Sequence, residues 1–118
     1  MKRVKLILRD PDINKMLGNE LELWVDDQAN IIDAIKKVDA MILERGKFPV
    51  KGCKSLLHMT FHPTEHRFYR HVGLTAHSGR ERFLDIRGNP SLKLPNNTVI
   101  VLTLTLCQGD WEQIIDSE

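Results

Sequence analysis

Five histidines fall between positions 58 and 77, and His58, His62 and His66 recur every fourth residue. On a helix that spacing sets imidazoles on one side, where they serve as metal ligands. Pro63 spoils the helix, because proline lacks a backbone donor and disfavours helical geometry for the residue before it. On a strand the same spacing keeps the rings on one face but about 13 Å apart. The plainer reading is exposed strand and turn histidines, with no metal. Cys53 and Cys107 are too few and too widely spaced for a thiolate zinc site or a secreted disulfide scaffold. Either thiol beside a histidine would make a nucleophile and base, yet neither lies in a nucleophile motif. The sequence also has no glycine-rich phosphate loop and no dinucleotide fingerprint. The expectation is a chain without cofactor or reaction of its own, whose function is to be bound or carried.

A second group of residues suits recognition. The run His66-Arg67-Phe68-Tyr69-Arg70-His71, with Arg80, Arg82 and Arg87 downstream, interleaves cations with aromatics. Such a mixture stacks bases and neutralises phosphates, and it equally anchors a protein interface, where Arg and Tyr are enriched. Residues 45–93 hold ten Lys and Arg against three Asp and Glu, while residues 94–118 hold none against four. A net charge of +1 favours a protein partner for Arg67, Tyr69, Arg70, Arg80 and Arg82 over nucleic acid.

The elements that would position these residues are read from periodicity. Val4, Leu6 and Leu8 alternate with Lys5, Ile7 and Arg9 as a half-buried strand does. Turn chemistry at Asp10-Pro11-Asp12 and Gly18-Asn19 predicts a reversal. A second strand from Glu20 to Val25 comes next, with Leu21, Leu23 and Val25 inward and Trp24 outward, completing an antiparallel hairpin. Ile31, Ala34, Ile35, Val38 and Ile42 then recur at three and four, predicting a helix around Asn30 to Glu44. Asp26 or Asp27 is expected to cap it and Gly46 to close it. Leu57, Met59 and Phe61 alternate like a strand, with His66 to Val72 as partner across a turn at His62-Pro63-Thr64-Glu65. Gly73, Ser78-Gly79 and Gly88-Asn89-Pro90 punctuate the chain beyond Val72, around a short extended piece near Phe83 to Ile86. Thr98 to Leu106 is a long final strand. Residues 4–8 are too short an apolar run for a signal-peptide core, and nothing approaches a membrane span, so cytoplasm is the expected location.

Hairpin, capped helix, irregular middle and long last strand stand in the order of a ubiquitin-like β-grasp fold. Residues 20–38 resemble the second strand and helix of ubiquitin-like sulfur carriers. The ending Leu94 to Gly109 is similar to the last strand and carboxy-terminal glycine arm of ubiquitin and its relatives. The resemblance implies an α+β domain over residues 1–109, with a mixed four- to five-stranded sheet, its first and last strands parallel at the centre, and one main helix across one face. Residues 110–118 then form an acidic tail. It also implies a protein modifier or carrier precursor, cut after Cys107-Gln108-Gly109 by a processing peptidase, whose new carboxylate an activating enzyme adenylates before transfer to an acceptor protein. Glycine suits a channel that threads bare backbone. The sequence departs from the family in having Gln108 where a second glycine stands, a longer and more basic middle, and nine residues after Gly109. The alternatives are a Gly109 that merely ends a strand, in a non-conjugated adaptor, and a basic nucleic-acid-binding module.

Overall fold

The computed structural model describes residues 1–79 and 82–104. Strand β1 (Lys2–Arg9) buries Val4, Leu6 and Leu8 on one face and exposes Arg3 and Arg9 on the other. The expected reversal contains a helix, α1 (Pro11–Leu17), because Asp10 accepts hydrogen bonds from the N–H groups of Asp12 and Ile13 and Pro11 opens the first turn. Strand β2 (Glu20–Val25) returns antiparallel to β1, with Val4 opposite Leu23 and Leu6 opposite Leu21.

Helix α2 (Ile31–Arg45) buries Ile31, Ala34, Ile35, Val38 and Ile42 against the sheet. Its cap is Asn30, not Asp26 or Asp27. Asn30 Oδ1 accepts from the Asp33 N–H and Asp33 Oδ2 accepts from the Asn30 N–H, a reciprocal capping box. Asp26 spends its carboxylate on the Gln28 N–H at 2.8 Å. Gly46 ends the helix at φ 145°, a conformation open to glycine.

The middle of the chain departs most from the alternation reading. Residues 56–60 are not strand but helix α3 (Leu56–Thr60), which buries Leu56, Met59 and Thr60 and leaves Leu57 half-buried. A two-stranded sheet comes after it, β3 (Phe61–His62) against β4 (Arg67–Phe68), joined by a turn over 63–66 as expected. Strand β5 (Val72–Ser78) occupies a stretch whose glycine and serine suggest loop. Gly73 belongs inside it, facing Thr103, and a Cβ there would lie 3.1 Å from the Thr103 Cβ. Strand β6 (Arg82–Phe83) is short, and β7 (Thr98–Leu104) completes the described elements.

The sheet is mixed and five-stranded, in the order β2-β1-β7-β5-β6. β1 and β7 are parallel neighbours, with Leu6 beside Ile100 and Leu8 beside Leu102, while β5 pairs antiparallel with β7. One face packs into a continuous core with the helices. Among the described residues nothing packs over the other. The fold is α+β, and no described helix is long and apolar enough to cross a membrane.

Asp39 ties α3 to α2: its carboxylate accepts from the Leu56 and Leu57 N–H groups at 2.6 and 3.1 Å. Burial raises its pKa above the ordinary carboxylate value, against the two hydrogen bonds, which lower it. Asp39→Ala strands both donors and should cost about 1–2 kcal/mol in urea unfolding. A folded pKa above the unfolded one means that the folded chain binds this proton more readily. The group therefore favours folding as pH falls, and that contribution is lost as pH rises through the folded pKa. The stability of the native chain relative to Asp39→Asn should accordingly grow as the pH is lowered from neutrality through the carboxylate range. A flat difference across that range would contradict this account.

Candidate functional site

The basic-aromatic run does not form one exposed surface. Arg67 lies beside Glu65 on the same hairpin, where the guanidinium hydrogen bond and charge hold the Glu65 carboxyl below its usual range. Tyr69 is inside, only 2% exposed, its ring stacked on His71 at 5.5 Å between centroids. Arg70 is exposed. Arg82 opens β6, opposite Ser78. Arg87 turns inward and donates to the carbonyls of Tyr69 and Val72. The structure thus buries Tyr69, leaves Arg70 at the surface, and uses Arg87 to hold chain. Arg80 and the predicted processing residues Cys107, Gln108 and Gly109 lie outside the described residues, as does the tail 110–118.

The histidines serve local geometry. His58 Nδ1 accepts from the Lys54 N–H, and His62 Nδ1 accepts from the Glu65 N–H at 3.1 Å. His66 meets the Phe61 ring edge-on. Among the described residues no three His, Cys, Asp or Glu side chains converge as a metal site.

Two surfaces stand out instead. The first is the open face of the sheet. Register places Glu22, Lys5, Val99, His77 and Phe83 in one row across it, and Glu20, Ile7, Val101 and Thr75 in the next. Ile7, Val99 and Val101 are half-buried, and Phe83 is 76% exposed against His77. Arg3 pairs with Glu22 at 3.2 Å, and Lys5 approaches Glu20 at 4.0 Å. An apolar strip framed by charges suits contact with another macromolecule better than capture of a small molecule, which favours concave sites.

The second surface is a groove of about 500 Å³ between β2 and α2. Val25, Ala29 and Ala40 supply small apolar lining, and Asp33, Lys36, Lys37 and Ala40 recur along one side of α2. Trp24, 54% exposed, stands at its outer lip. The loop beneath is pinned from β1: buried Lys2 donates through Nζ to the carbonyls of Asp27 and Ala29 at 2.8 and 3.2 Å. Burial lowers the Lys2 pKa, with Lys93 adding to the effect. Residue types alone do not disclose this groove. Its one signal in the sequence is Trp24 at an outward strand position, since an exposed tryptophan is costly to leave bare.

No protein-family model, curated protein or solved structure matches the chain.

Lys2→Met keeps the aliphatic stem and removes both hydrogen bonds, so it should loosen the floor of the groove before it unfolds the sheet. Amide exchange at Asp27, Gln28 and Ala29 should accelerate while exchange at Leu6 and Leu102 changes little. Equal acceleration at all five amides would show that Lys2 supports the whole fold and not the loop.

Proposed function

We propose that the protein is a ubiquitin-like β-grasp domain that acts through protein recognition, as a modifier or carrier precursor, and catalyses no reaction itself. The observation that carries this reading is the strand order, with β1 and β7 parallel at the centre, β2 and β5 flanking them, and α2 over one face. In that layout the last strand delivers the chain to a terminal arm. Here Gly109 stands five residues beyond Leu104, the last residue of β7.

On this reading a peptidase cleaves after Gly109, and an activating enzyme adenylates the exposed carboxylate ahead of thiolation or transfer to an acceptor. Cys107 and Gln108 form the last part of the threaded arm. The open sheet face, with Ile7, Val99, Val101 and Phe83, is the docking surface for these partners, and Arg70 is exposed. The engagement of Arg67 with Glu65 and of Arg87 with backbone carbonyls favours protein over nucleic acid as the partner. A non-conjugated adaptor that uses the same open face is the second reading, favoured by the exposure of Phe83 and Trp24.

Mass spectrometry of the protein isolated from its own cell separates the two. The modifier reading expects a species ending at Gly109, or an adduct through it. Gly109→Ala should abolish both, because a methyl group obstructs a channel fitted to bare backbone. If every molecule retains residues 110–118 and no adduct is found, the modifier reading fails and the adaptor remains.

A further inference from the structure

The chain leaves β7 at a basic end of the molecule. Strands β1 and β7 run parallel and finish together, with Arg9 beside Thr103, and Leu104 lies opposite Val72 at the start of β5. Helix α2 finishes at this end too, because Arg45 Nη1 donates to the Met16 carbonyl in α1, the link from β1 to β2. From Gly46 the chain crosses to α3, and the Thr60 carbonyl accepts from the Tyr69 N–H, which brings Arg70 back to the start of β5. Residue 105 therefore continues from the end of the sheet that carries the 46–55 crossing and Arg70.

Charge at this end is one-sided. Arg9, Lys15, Lys47, Lys51, Lys54 and Arg70 are all exposed. The three lysines of the crossing take part in no ion pair among the described residues. Against these cations, Asp10 is buried as the α1 cap and Glu20 approaches Lys5, which leaves Asp12 and Glu44. The crossing also has apolar surface, since Phe48 and Cys53 are only partly buried against the core. The chain beyond β7 has the complementary composition. Residues 105–118 include Asp110, Glu112, Asp116 and Glu118 and no Lys or Arg, with Trp111, Ile114 and Ile115 between the carboxylates.

From the exit point and this complementarity we infer that residues 110–118 dock in cis on the basic crossing and Arg70. Their carboxylates meet Lys47, Lys51 and Lys54, and their apolar side chains lie over Phe48 and Cys53. Five residues separate Leu104 from Asp110, a reach of at most about 20 Å. Tethering at that distance gives the segment an effective concentration of about a millimolar, so screened ion pairs that are individually weak hold it in place together. The docking does not depend on the glycine chemistry, so either reading can fail alone. Where the modifier reading holds, the docked segment also withholds the bond after Gly109 from a peptidase.

The test is zero-length carbodiimide cross-linking of the purified full chain at low concentration, with linked peptides mapped by mass spectrometry. Amide links should join Asp110, Glu112, Asp116 or Glu118 to Lys47, Lys51 or Lys54 within one molecule. The Lys5–Glu20 contact, 4.0 Å in the fold, provides the internal control. In about 1 M salt, where the screening length falls to about 3 Å, the yield of the expected links should drop on the order of tenfold. A second measurement compares amide NMR shifts of the native chain with those of the neutralised variant Asp110→Asn, Glu112→Gln, Asp116→Asn, Glu118→Gln. Shifts should concentrate at Lys47 to Lys54 and Tyr69 to His71, with an unchanged midpoint of thermal unfolding for Leu6 and Leu102 signals as the folding control. Tail links to Lys5, Lys15, Lys36 or Lys37 in place of the crossing, links only between molecules, or no tail link beside a formed Lys5–Glu20 link would each overturn the inference. So would a yield indifferent to salt, or a neutralised variant whose shifts leave residues 47–54 and 69–71 unmoved.

Discussion

Two parallel strands cannot be joined by a tight turn, and the pairing of β1 with β7 therefore governs where the intervening chain can go. Val4, Leu6 and Leu8 lie beside Thr98, Ile100 and Leu102, so the centre of the sheet is assembled from residues more than ninety positions apart in sequence. Such a contact carries a large loop-closure cost, which is offset only if the connecting chain packs productively. It does so by laying α2 on the inner face and by returning as β5 on the far side of β7. The open face, the β2 edge and the groove beside α2 all result from this arrangement.

The elements legible in the sequence are those that a single face dictates. β1, β2, α2 and β7 each present one buried side to the same core, so their periods of two and 3.6 survive in residue types. The less legible elements lack that mark. α1 fully buries only Ile13, and its Asp-Pro start has the chemistry of a turn as well as of a helix cap. Around α3, Leu57, Met59 and Phe61 satisfy a strand while Leu56, Met59 and Thr60 satisfy a helix. The choice is made by the Ser55 cap and by Asp39, seventeen residues away from Leu56. β5 hides behind Gly73, which reads as a break and is required by the approach of Thr103.

The candidate site is less legible because charge counts do not say where a charge is spent. Ten cations in residues 45–93 suggest a basic surface. In the fold, Arg87 serves two carbonyls and Arg67 a carboxylate on its own hairpin. Tyr69 joins Phe68 in the core, two aromatic rings in succession, because the chain leaves β4 there and no strand alternation sends one of them outward. The groove is hidden for the opposite reason. Its lysines belong to a helix that its apolar stripe already explains, and its main-chain groups have no residue-type signature.

An unpaired edge exposes a row of donors and acceptors, and proteins blunt such edges with short strands, charge or a covering segment. The β5 edge is blunted in all these ways, by a two-residue strand, by an arginine on a carbonyl and by the chain from Leu84 to Ile86. Among the described residues the β2 edge has only Glu20 and Glu22 in its defence, and both are turned to the open face and engaged with β1. Those carboxylates disfavour pairing of two β2 strands from separate copies, where they would face one another across a narrow gap.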